Sequence, residues 1–483
     1  MVFSSHIFVF YFLPLVLALY YASPGRWRQP LLTLLSYVFY GWANPWFVLL
    51  MMFSTLNDYV CGLMIVGKWN PIGTITEPDR LGYTSSTRQR KIAVALSVAT
   101  NLGLLGFFKY FVFVQHNIDS IMRAFGSSGL EDFFVVVLPL GISFYSFQSM
   151  SYSIDLYRGD APPARSLLDF SCYVALFPQL VAGPIVRYRD LADQLSVRTH
   201  SVDKFARGVV FFIMGFAKKI LLANPTGMIA DAAFDAGAIG ALDSWYGSAA
   251  YAFQIYFDFS AYSDMAIGLG LMLGFTFPKN FDSPYMAQSI TEFWRRWHMS
   301  LSTFLRDYLY IPLGGNRKGE RRTYVNLGVV MILGGLWHGA SWNFVVWGAI
   351  HGAMLAGERA IGKNSPYRKL PRVLRIAVTF AIISIAWVFF RAEDLPAALR
   401  YVTAMFGGSA AGPEASLLSG TLYSTDNLAV MLIAGGIVWG TRQTWVHAKT
   451  VSLPKLALLA LLMVWSCAVM FTQTFNPFIY FIF

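Results

Sequence analysis

Three histidines within residues 289–352 are the side chains of this chain best suited to chemistry. His298 lies in FWRRWHMS, His338 in LGGLWHGAS and His351 in WGAIHGAM. An imidazole has an ordinary pKa of about 6.5, so a small change in its surroundings makes it a general base at neutral pH. The flanking runs are apolar enough to lie in lipid, where a titratable side chain is costly unless it has a function. We therefore expect the chemistry of the chain in this stretch.

Glycines before and after His338 carry no side chain, so a helix or a substrate can approach the backbone closely there. No adjacent residue offers its imidazole an obvious partner, so it is either a general base or a histidine bonded across helices. His351 follows thirteen residues later, which on one continuous helix is a different face. Either a break brings both to one cavity or His351 is structural, and we favour the structural interpretation.

The third histidine, His298, belongs to a predicted amphipathic helix. Apolar residues recur at helical spacing over residues 290–311, and the Pro-Leu-Gly-Gly segment at 312–315 ends the pattern. His298 lies at the edge of the apolar face and is either an interfacial histidine beside two tryptophans or a catalytic one. Arg295 and Arg296 suit an anionic cofactor such as a nucleotide phosphate, although a patch that orients the chain in a membrane explains them equally well.

Two carboxylates, Asp258 and Asp264, interrupt another apolar run, YAFQIYFDFSAYSDMAIGLG. At membrane depth they either orient a histidine, coordinate an ion or bond to helix ends. The three cysteines lie far apart in or beside apolar runs, which favours small buried hydrophobes over a disulfide or a metal site. No HExxH, P-loop, GxSxG or CxxC pattern occurs, which excludes several common classes of enzyme.

The composition shows what must position these residues. Hydrophobic residues make up 56% of the 483, charged residues 13%, and the mean hydropathy is +0.51. These values predict an all-α polytopic membrane protein, a single integral-membrane domain over residues 1–483. The net charge of +11 comes from Lys and Arg in short loops between apolar runs, so we expect a lipid bilayer and no nucleic acid as partner. The N-terminal run lacks the basic region of a cleaved signal peptide and predicts a retained helix.

The apolar runs predict ten to twelve crossings. The run at 168–186 is broken by proline and glycine and predicts a re-entrant segment, which is tolerable only where protein covers the loosened backbone. The candidate spans are residues 7–22, 30–43, 45–66, 92–114, 133–156, 168–186, 205–223, 247–275, 324–339, 341–358, 373–390, 427–440 and 456–475.

The distribution of basic residues predicts the orientation of the chain. Residues 67–91, 276–323 and 359–375 are rich in Lys and Arg and are assigned to the cytoplasm. Residues 224–246, which carry three aspartates and no base, and the weakly basic residues 391–426 are assigned to the other side, which puts the N-terminus outside.

Several segments resemble the membrane-bound O-acyltransferase (MBOAT) family, chiefly SITEFWRRWHMSLSTFLRDYLYIPLGGNRKG and GGLWHGASWNFVVWGAIHG. Four further segments resemble the branch of alginate O-acetylation proteins: FPQLVAGPIVRYRDL, YFDFSAYSDMAIGLG, the opening MVFSSHIFVFYFLPL and the closing FNPFIYFIF. The match runs in order over nearly the whole chain and is weakest at 67–90, 407–425 and 440–455. It implies a ring of transmembrane helices around a central funnel. It also implies that catalytic His338 stands at the position of the family's invariant histidine and that His298 lines the same path from the cytoplasmic side.

The resemblance further implies an O-acetyltransferase, a multi-pass protein of the bacterial inner membrane with no permanently bound cofactor. It would pass acetyl groups from cytoplasmic acetyl-CoA to a periplasmic or membrane-anchored acetyltransferase partner that modifies an exported polysaccharide such as alginate. Arg295 and Arg296 would hold the anionic part of the donor. Two alternatives stay open: a transporter or flippase with Asp258 and Asp264 as its ion site, and an enzyme of the same fold that transfers another acyl group, such as D-alanyl, to the cell wall.

Overall fold

The chain is helical throughout the part that the structure describes. The computed structural model describes residues 1–69, 79–130, 136–362, 365–408, 413–473, 475–476 and 478–479, and these contain helices and loops without a β-strand. The predicted all-α class is confirmed. Parts of the predicted loops 67–91, 359–375 and 407–425, of the spans 133–156 and 456–475, and of the closing FNPFIYFIF lie outside the described residues.

The described chain forms two compact units, residues 1–208 with 269–278 and residues 209–268 with 279–483. The first unit contains a π-helical turn Phe8–Phe12, α1 Leu13–Ala22, α2 Gly25–Gly41, α3 Trp46–Val66, α4 Thr87–Ala124, α5 Ile142–Arg158, α6 Leu167–Ala175, α7 Phe177–Leu180, α8 Tyr188–Ser196 and the start of α9 Val202–Ala217. A buried polar contact joins α3 to α4, where the Asn101 amide donates to Asp58 at 2.7 Å. This contact gives two buried polar side chains a hydrogen-bond partner each.

The predicted re-entrant run at 168–186 is broken in the structure. It contains the short helices α6 and α7 and then loses helical structure, and residues 172–186 are buried. Because Pro178 and Gly183 interrupt the helical hydrogen bonds, the freed backbone groups need protein around them. The burial agrees with that requirement.

The second unit contains the candidate site. Its helices are α10 Asn224–Phe234, α11 Ala241–Met272, α12 Ile290–Arg296, α13 Met299–Leu305, α14 Glu320–His338, α15 Trp342–Ile361, α16 Arg372–Arg391, α17 Leu395–Met405, α18 Pro413–Leu422, α19 Thr425–Gly440, α20 Thr444–His447 and α21 Leu453–Thr472, with π-helical segments at Lys218–Ala223 and Arg306–Tyr310 and 3-10 turns at Pro284–Met286 and Pro366–Lys369.

One predicted boundary is wrong. The span 205–223 was expected to end in a loop, but α9, the π segment Lys218–Ala223 and α10 follow one another without a break. Pro225 lies in the first turn of α10. The hydrogen bonding changes from π to α there, so no helical hydrogen bond requires the N–H that proline lacks.

Four of the described helices are long and apolar enough to cross a membrane on length and composition alone: α3, α4, α16 and α21. Residues 8–22 and α19 are shorter apolar helices. The protein is thus a polytopic membrane protein, and the count of ten to twelve crossings stays a prediction. Several further candidate spans carry polar side chains or irregular turns, as helices do when protein rather than lipid surrounds them.

Candidate active site

The histidine His338 is fixed by close packing of α14 against α15. A Cβ on Gly335 would lie 2.1 Å from the carbonyl oxygen of Phe344, and one on Gly348 would lie 2.4 Å from that of Met331. Only glycine permits backbones to approach so closely. His338 is the last residue of α14, directly after this contact, so the contact determines where its imidazole stands.

Aromatic rings surround His338. Its ring centroid lies 5.4 Å from that of Trp347 and 5.1 Å from that of Phe390, and both rings meet it edge to face. The residue is 6% exposed. These contacts limit the rotation of the imidazole and keep bulk water from most of it.

A cavity of about 610 Å³ opens onto His338. Its wall is mainly apolar and comes from α12, α13, the π segment Arg306–Tyr310, α14 and α15. Gly334 belongs to this wall, so the glycines around His338 serve both purposes expected of them: Gly334 faces the cavity, and Gly335 faces a helix. A small group that enters the cavity therefore reaches the imidazole.

A second cavity, of about 680 Å³, adjoins the first. The two share four lining residues, namely Thr291, Arg295, Leu327 and Leu355. The second cavity differs from the first in its charged lining, which comprises Arg295, Arg359, Arg368, Arg375, Glu292 and Glu358. A ligand with an anionic end and an apolar arm would match this pair of cavities.

The two arginines that the sequence grouped together separate in the structure. Arg295 lines both cavities. Arg296 lines neither: it pairs with Glu292 at 2.8 Å and donates to the Asp282 carbonyl oxygen at 3.0 Å. Arg306, which the sequence interpretation missed, also lines the first cavity, and its place in an apolar stretch after FWRRWHMS was the available signal.

The predicted single helix over 290–311 is wrong. α12 ends at Arg296 and α13 begins at Met299, and His298 between them has a left-handed backbone with φ of 43°. The side chain of Ser289 and the carboxylate of Glu358 accept from the backbone N–H groups of the first turn of α12. Helix structure continues to Tyr310, so the predicted end before Pro312 is confirmed.

The break turns His298 into the protein interior, where it is fully buried. Its ring meets Phe259 edge to face at 4.6 Å, and its Nδ1 lies 3.2 Å from Oδ1 of Asn280. The centroids of the His298 and His338 rings are 6.4 Å apart. The structure thus brings the two predicted site histidines together, although His298 is not among the residues that line the first cavity. A left-handed non-glycine residue is unfavourable, and the buried contacts of the ring offset this cost.

His351 is close to the site but outside both cavities. A break at residues 339–341 does separate α14 from α15, as one of the two interpretations required. The Trp294 indole N–H donates to Nδ1 of His351 at 3.3 Å, and the Trp347 ring lies 4.8 Å away. His351 thereby supports two aromatic residues that line the first cavity, which agrees with the structural interpretation.

Asp258 and Asp264 form ion pairs with two consecutive lysines. Lys219 pairs with Asp258 at 2.6 Å and Lys218 with Asp264 at 2.7 Å. The backbone N–H of Ile479 also donates to Asp258 at 2.8 Å. The sequence interpretation missed these lysines, although two adjacent bases in an apolar run were a visible signal. The aspartates bind neighbouring elements of the fold rather than a histidine.

Comparisons with known proteins identify the family of the chain. The family model of membrane-bound O-acyltransferases matches residues 161–392. A probable alginate O-acetylase, AlgI, of Azotobacter vinelandii is 44% identical over the full length of both chains. A peptidoglycan O-acetyltransferase of Helicobacter pylori is 35% identical over 84% of this chain and 80% of its own, and a teichoic acid D-alanyltransferase of Streptococcus thermophilus is 28% identical over 52% and 68%. The chain therefore belongs to the membrane-bound O-acyltransferase family and is an O-acyltransferase.

Proposed function

We propose that this O-acyltransferase transfers acetyl groups in the bacterial inner membrane, from cytoplasmic acetyl-CoA toward an exported polysaccharide. The observation that carries the proposal is the pair of adjoining cavities, one charged and one apolar, that share Arg295 and have His338 in the inner wall. Acetyl-CoA has the matching form, with phosphates at one end and a thioester on a long, weakly polar arm at the other.

The charged cavity suits the phosphates of the donor. Arg295, Arg359, Arg368 and Arg375 provide guanidinium groups for phosphate oxygens, and Glu292 is already paired with Arg296. The arm of the donor would then pass Thr291 and Leu355, which belong to both cavities. This placement brings the thioester into the apolar cavity, where exclusion of water limits hydrolysis.

The chemical step would use His338 as the general base. The hydroxyl oxygen of the acceptor attacks the thioester carbonyl while its proton passes to the imidazole of His338. The new C–O bond forms, the C–S bond breaks, and the thiolate of coenzyme A leaves. The proton then passes from His338 to this thiolate, which gives the free thiol of coenzyme A and returns His338 to its basic form. His298 acts beside His338 as the second histidine of the site, with 6.4 Å between the ring centroids.

Among acyl groups, acetyl is favoured by the relatives. The relative that matches over its full length is named an alginate O-acetylase and the one at 35% identity a peptidoglycan O-acetyltransferase, whereas the D-alanyltransferase matches about half of the chain. We propose an exported polysaccharide such as alginate as the final acceptor and a periplasmic or membrane-anchored acetyltransferase as the partner that receives the group. D-Alanyl transfer is the second candidate.

The transporter alternative is weakened by the ion pairs. An ion-binding or proton-carrying carboxylate must exchange its partner during transport, but Asp258 and Asp264 already have lysine partners within 2.7 Å. No feature of the described residues favours it over acyl transfer.

The proposal is tested with inside-out membrane vesicles from bacteria that express the chain with its partners. The vesicles receive acetyl-CoA labelled with 14C in the acetyl group, and both free coenzyme A thiol and label in the polysaccharide fraction are measured. A parallel assay supplies 14C-labelled D-alanine in place of labelled acetyl-CoA. We expect His338→Ala to abolish both, since a general base contributes about 10²–10⁴-fold. His116→Ala, a change on α4 outside the site, is the control. Normal transfer by the His338→Ala protein would refute the proposal. Label incorporated from D-alanine but not from acetyl-CoA would favour the second candidate.

A further inference from the structure

Asn280 is a buried residue whose amide meets His298 and the start of α13. It is 2% exposed. Its Oδ1 lies 3.2 Å from the backbone nitrogen of Ser300, 2.8 Å from the Ser300 hydroxyl and 3.2 Å from Nδ1 of His298. All three neighbours converge on one oxygen.

The backbone of Ser300 determines which way the amide of Asn280 faces. A backbone N–H can only donate, so the atom opposite it must be the oxygen. The reverse orientation would place the NH₂ group against this N–H, donor against donor. Oδ1 of Asn280 therefore faces Ser300 and His298.

The same oxygen determines the tautomer of His298. The Ser300 hydroxyl lies 3.5 Å from Nδ1 but only 2.8 Å from Oδ1 of Asn280, to which it donates. A carbonyl oxygen can only accept, so Nδ1 at 3.2 Å from Oδ1 must carry the hydrogen. In the neutral imidazole the lone pair then lies on Nε2. This Nε2 is buried and has no hydrogen-bond partner among the described residues, so its lone pair is available as a hydrogen-bond acceptor.

His351 provides an internal contrast. The Trp294 indole N–H can only donate, so Nδ1 of His351 accepts and its hydrogen lies on Nε2. The fold thus holds two fully buried histidines in opposite tautomers through neighbours of opposite polarity. Of these two histidines, only His298 has a ring contact with His338, with 6.4 Å between the centroids.

We propose that Asn280 is a positioning residue for acyl transfer, which holds His298 with hydrogen on Nδ1 and the lone pair on Nε2. The inference depends on the proposed function, in which His298 acts beside His338 as the second histidine of the site. Without the carbonyl of Asn280 the imidazole would populate both tautomers, and in one of them Nε2 would carry a hydrogen and accept nothing.

Asn280 also has a structural role that an experiment must separate. Its backbone carbonyl accepts from Met299 N at 2.9 Å, and its side chain caps Ser300 N, so it caps the N-terminus of α13 from a distance. Asn280→Ala removes both the cap and the tautomer control. Asn280→Asp keeps an oxygen in place for both and adds a charge that favours the imidazolium form of His298.

The first arm of the test is spectroscopic and needs no activity. The full chain is labelled with 15N-histidine and reconstituted in lipid, and the His298 nitrogens are assigned by difference from His298→Gln. We expect a protonated Nδ1 and an unprotonated Nε2 in the native chain, and a mixture in Asn280→Ala. A protonated Nε2 in the native chain would overturn the proposal whatever the activity.

The second arm uses the vesicle assay above. We expect Asn280→Ala to lower the maximal rate roughly 10- to 100-fold with little change in KM for acetyl-CoA, which is less than loss of a whole general base. In Asn280→Asp the acidic limit of activity should move to higher pH, because more alkali is needed to free Nε2. Ser424→Ala, which removes the side-chain cap of α19, is the control for a lost helix cap.

The outcomes separate the two proposals. An unshifted pH profile in Asn280→Asp, or full activity in Asn280→Ala, would leave Asn280 as a helix cap only and contradict the inference. If the native spectrum shows the expected tautomer but the vesicles do not consume acetyl-CoA, the proposed function fails while the assignment of Asn280 stands.

Discussion

Arg295 and Arg296 are neighbours of the same type, yet the structure gives them different surroundings. Arg295 faces two cavities, and Arg296 is engaged by Glu292 and Asp282. The difference follows from the helix: consecutive residues of α12 point about 100° apart, so only one of the pair can face α15 and its cavities. The sequence alone could identify this pair of arginines but not which of the two lines the cavities.

We predict that Arg295→Ala raises KM for acetyl-CoA about 10- to 100-fold, because a guanidinium bonded to phosphate contributes about 1.5–3 kcal/mol. The maximal rate should change less. Initial rates of thiol release at varied acetyl-CoA measure both quantities.

Arg296→Ala is the matched control at the adjacent position. It removes a partly exposed pair on one helix that contributes about 0.3–0.5 kcal/mol to stability, so KM should stay close to the native value. Equal effects of the two substitutions would contradict the assignment of Arg295 to the donor.

Two histidines show where the interpretation of the sequence succeeds and where it fails. The motif around His338 predicted an accessible histidine between glycines, because glycine spacing is visible in sequence. The left-handed backbone of His298 was not predictable, since it depends on Phe259 and Asn280, which are 39 and 18 residues away in sequence. Local helical periodicity carries no information about such contacts.

At the scale of elements, the contact between α14 and α15 decides where His338 stands. Gly335 and Gly348 bring the two backbones together, and the side chains of the hairpin lie on its other faces. Any side chain added at the contact must separate the helices, because backbone atoms cannot move aside as a flexible side chain can.

We predict that Gly335→Ala destabilises the protein by about 1–3 kcal/mol and lowers acyl transfer, because its Cβ would lie 2.1 Å from the Phe344 carbonyl oxygen. Thermal unfolding in lipid nanodiscs and the vesicle assay measure the two effects.

Gly328→Ala on the same helix is the control, since a Cβ there meets nothing within 4 Å. Alanine also favours helix at that position by about 1 kcal/mol relative to glycine. A Gly335→Ala protein as stable and as active as Gly328→Ala would show that the close contact does not position the histidine.

Helix boundaries show which elements sequence can predict. The spans 45–66 and 373–390 correspond to Trp46–Val66 and Arg372–Arg391, because polar or glycine-containing segments flank these long apolar runs. The prediction failed at 223, where the helical chain continues through a π segment into α10 and past Pro225. A proline ends a helix only where an N–H is required, and the shift in hydrogen bonding cannot be read from sequence.

At the scale of the whole molecule, the pair of Lys219 and Asp258 joins distant parts of the second unit. Each side chain is 2% exposed, and Asp258 also holds the backbone N–H of Ile479 near the C-terminus. Removal of the Lys219 charge would leave Asp258 buried without this counter-ion, which is much more costly than removal of both charges.

We predict that Lys219→Met alone lowers stability by about 3–5 kcal/mol and that Asp258→Asn in the same chain restores much of the loss. The amide oxygen introduced by Asp258→Asn would still accept from the backbone N–H of Ile479, so the tail contact is kept. Thermal unfolding of the two single variants and the double variant measures the coupling. A transporter that depends on Asp258 would instead lose all function in the double variant, so retained acyl transfer there would favour the enzyme.

The backbone contact of α14 with α15 has one more consequence, for engineering of the enzyme. At Gly334 the cavity wall is glycine main chain and cannot be trimmed, whereas Leu301, Leu305 and Tyr310 contribute side chains to the wall that can be exchanged. Leu305 stands nearest this rigid side, with its Cδ1 3.3 Å from where a Cβ of Gly334 would be. We therefore expect a smaller side chain at Leu305 to increase the rate with longer acyl thioesters relative to acetyl-CoA. Substitution of the glycines should not change this preference.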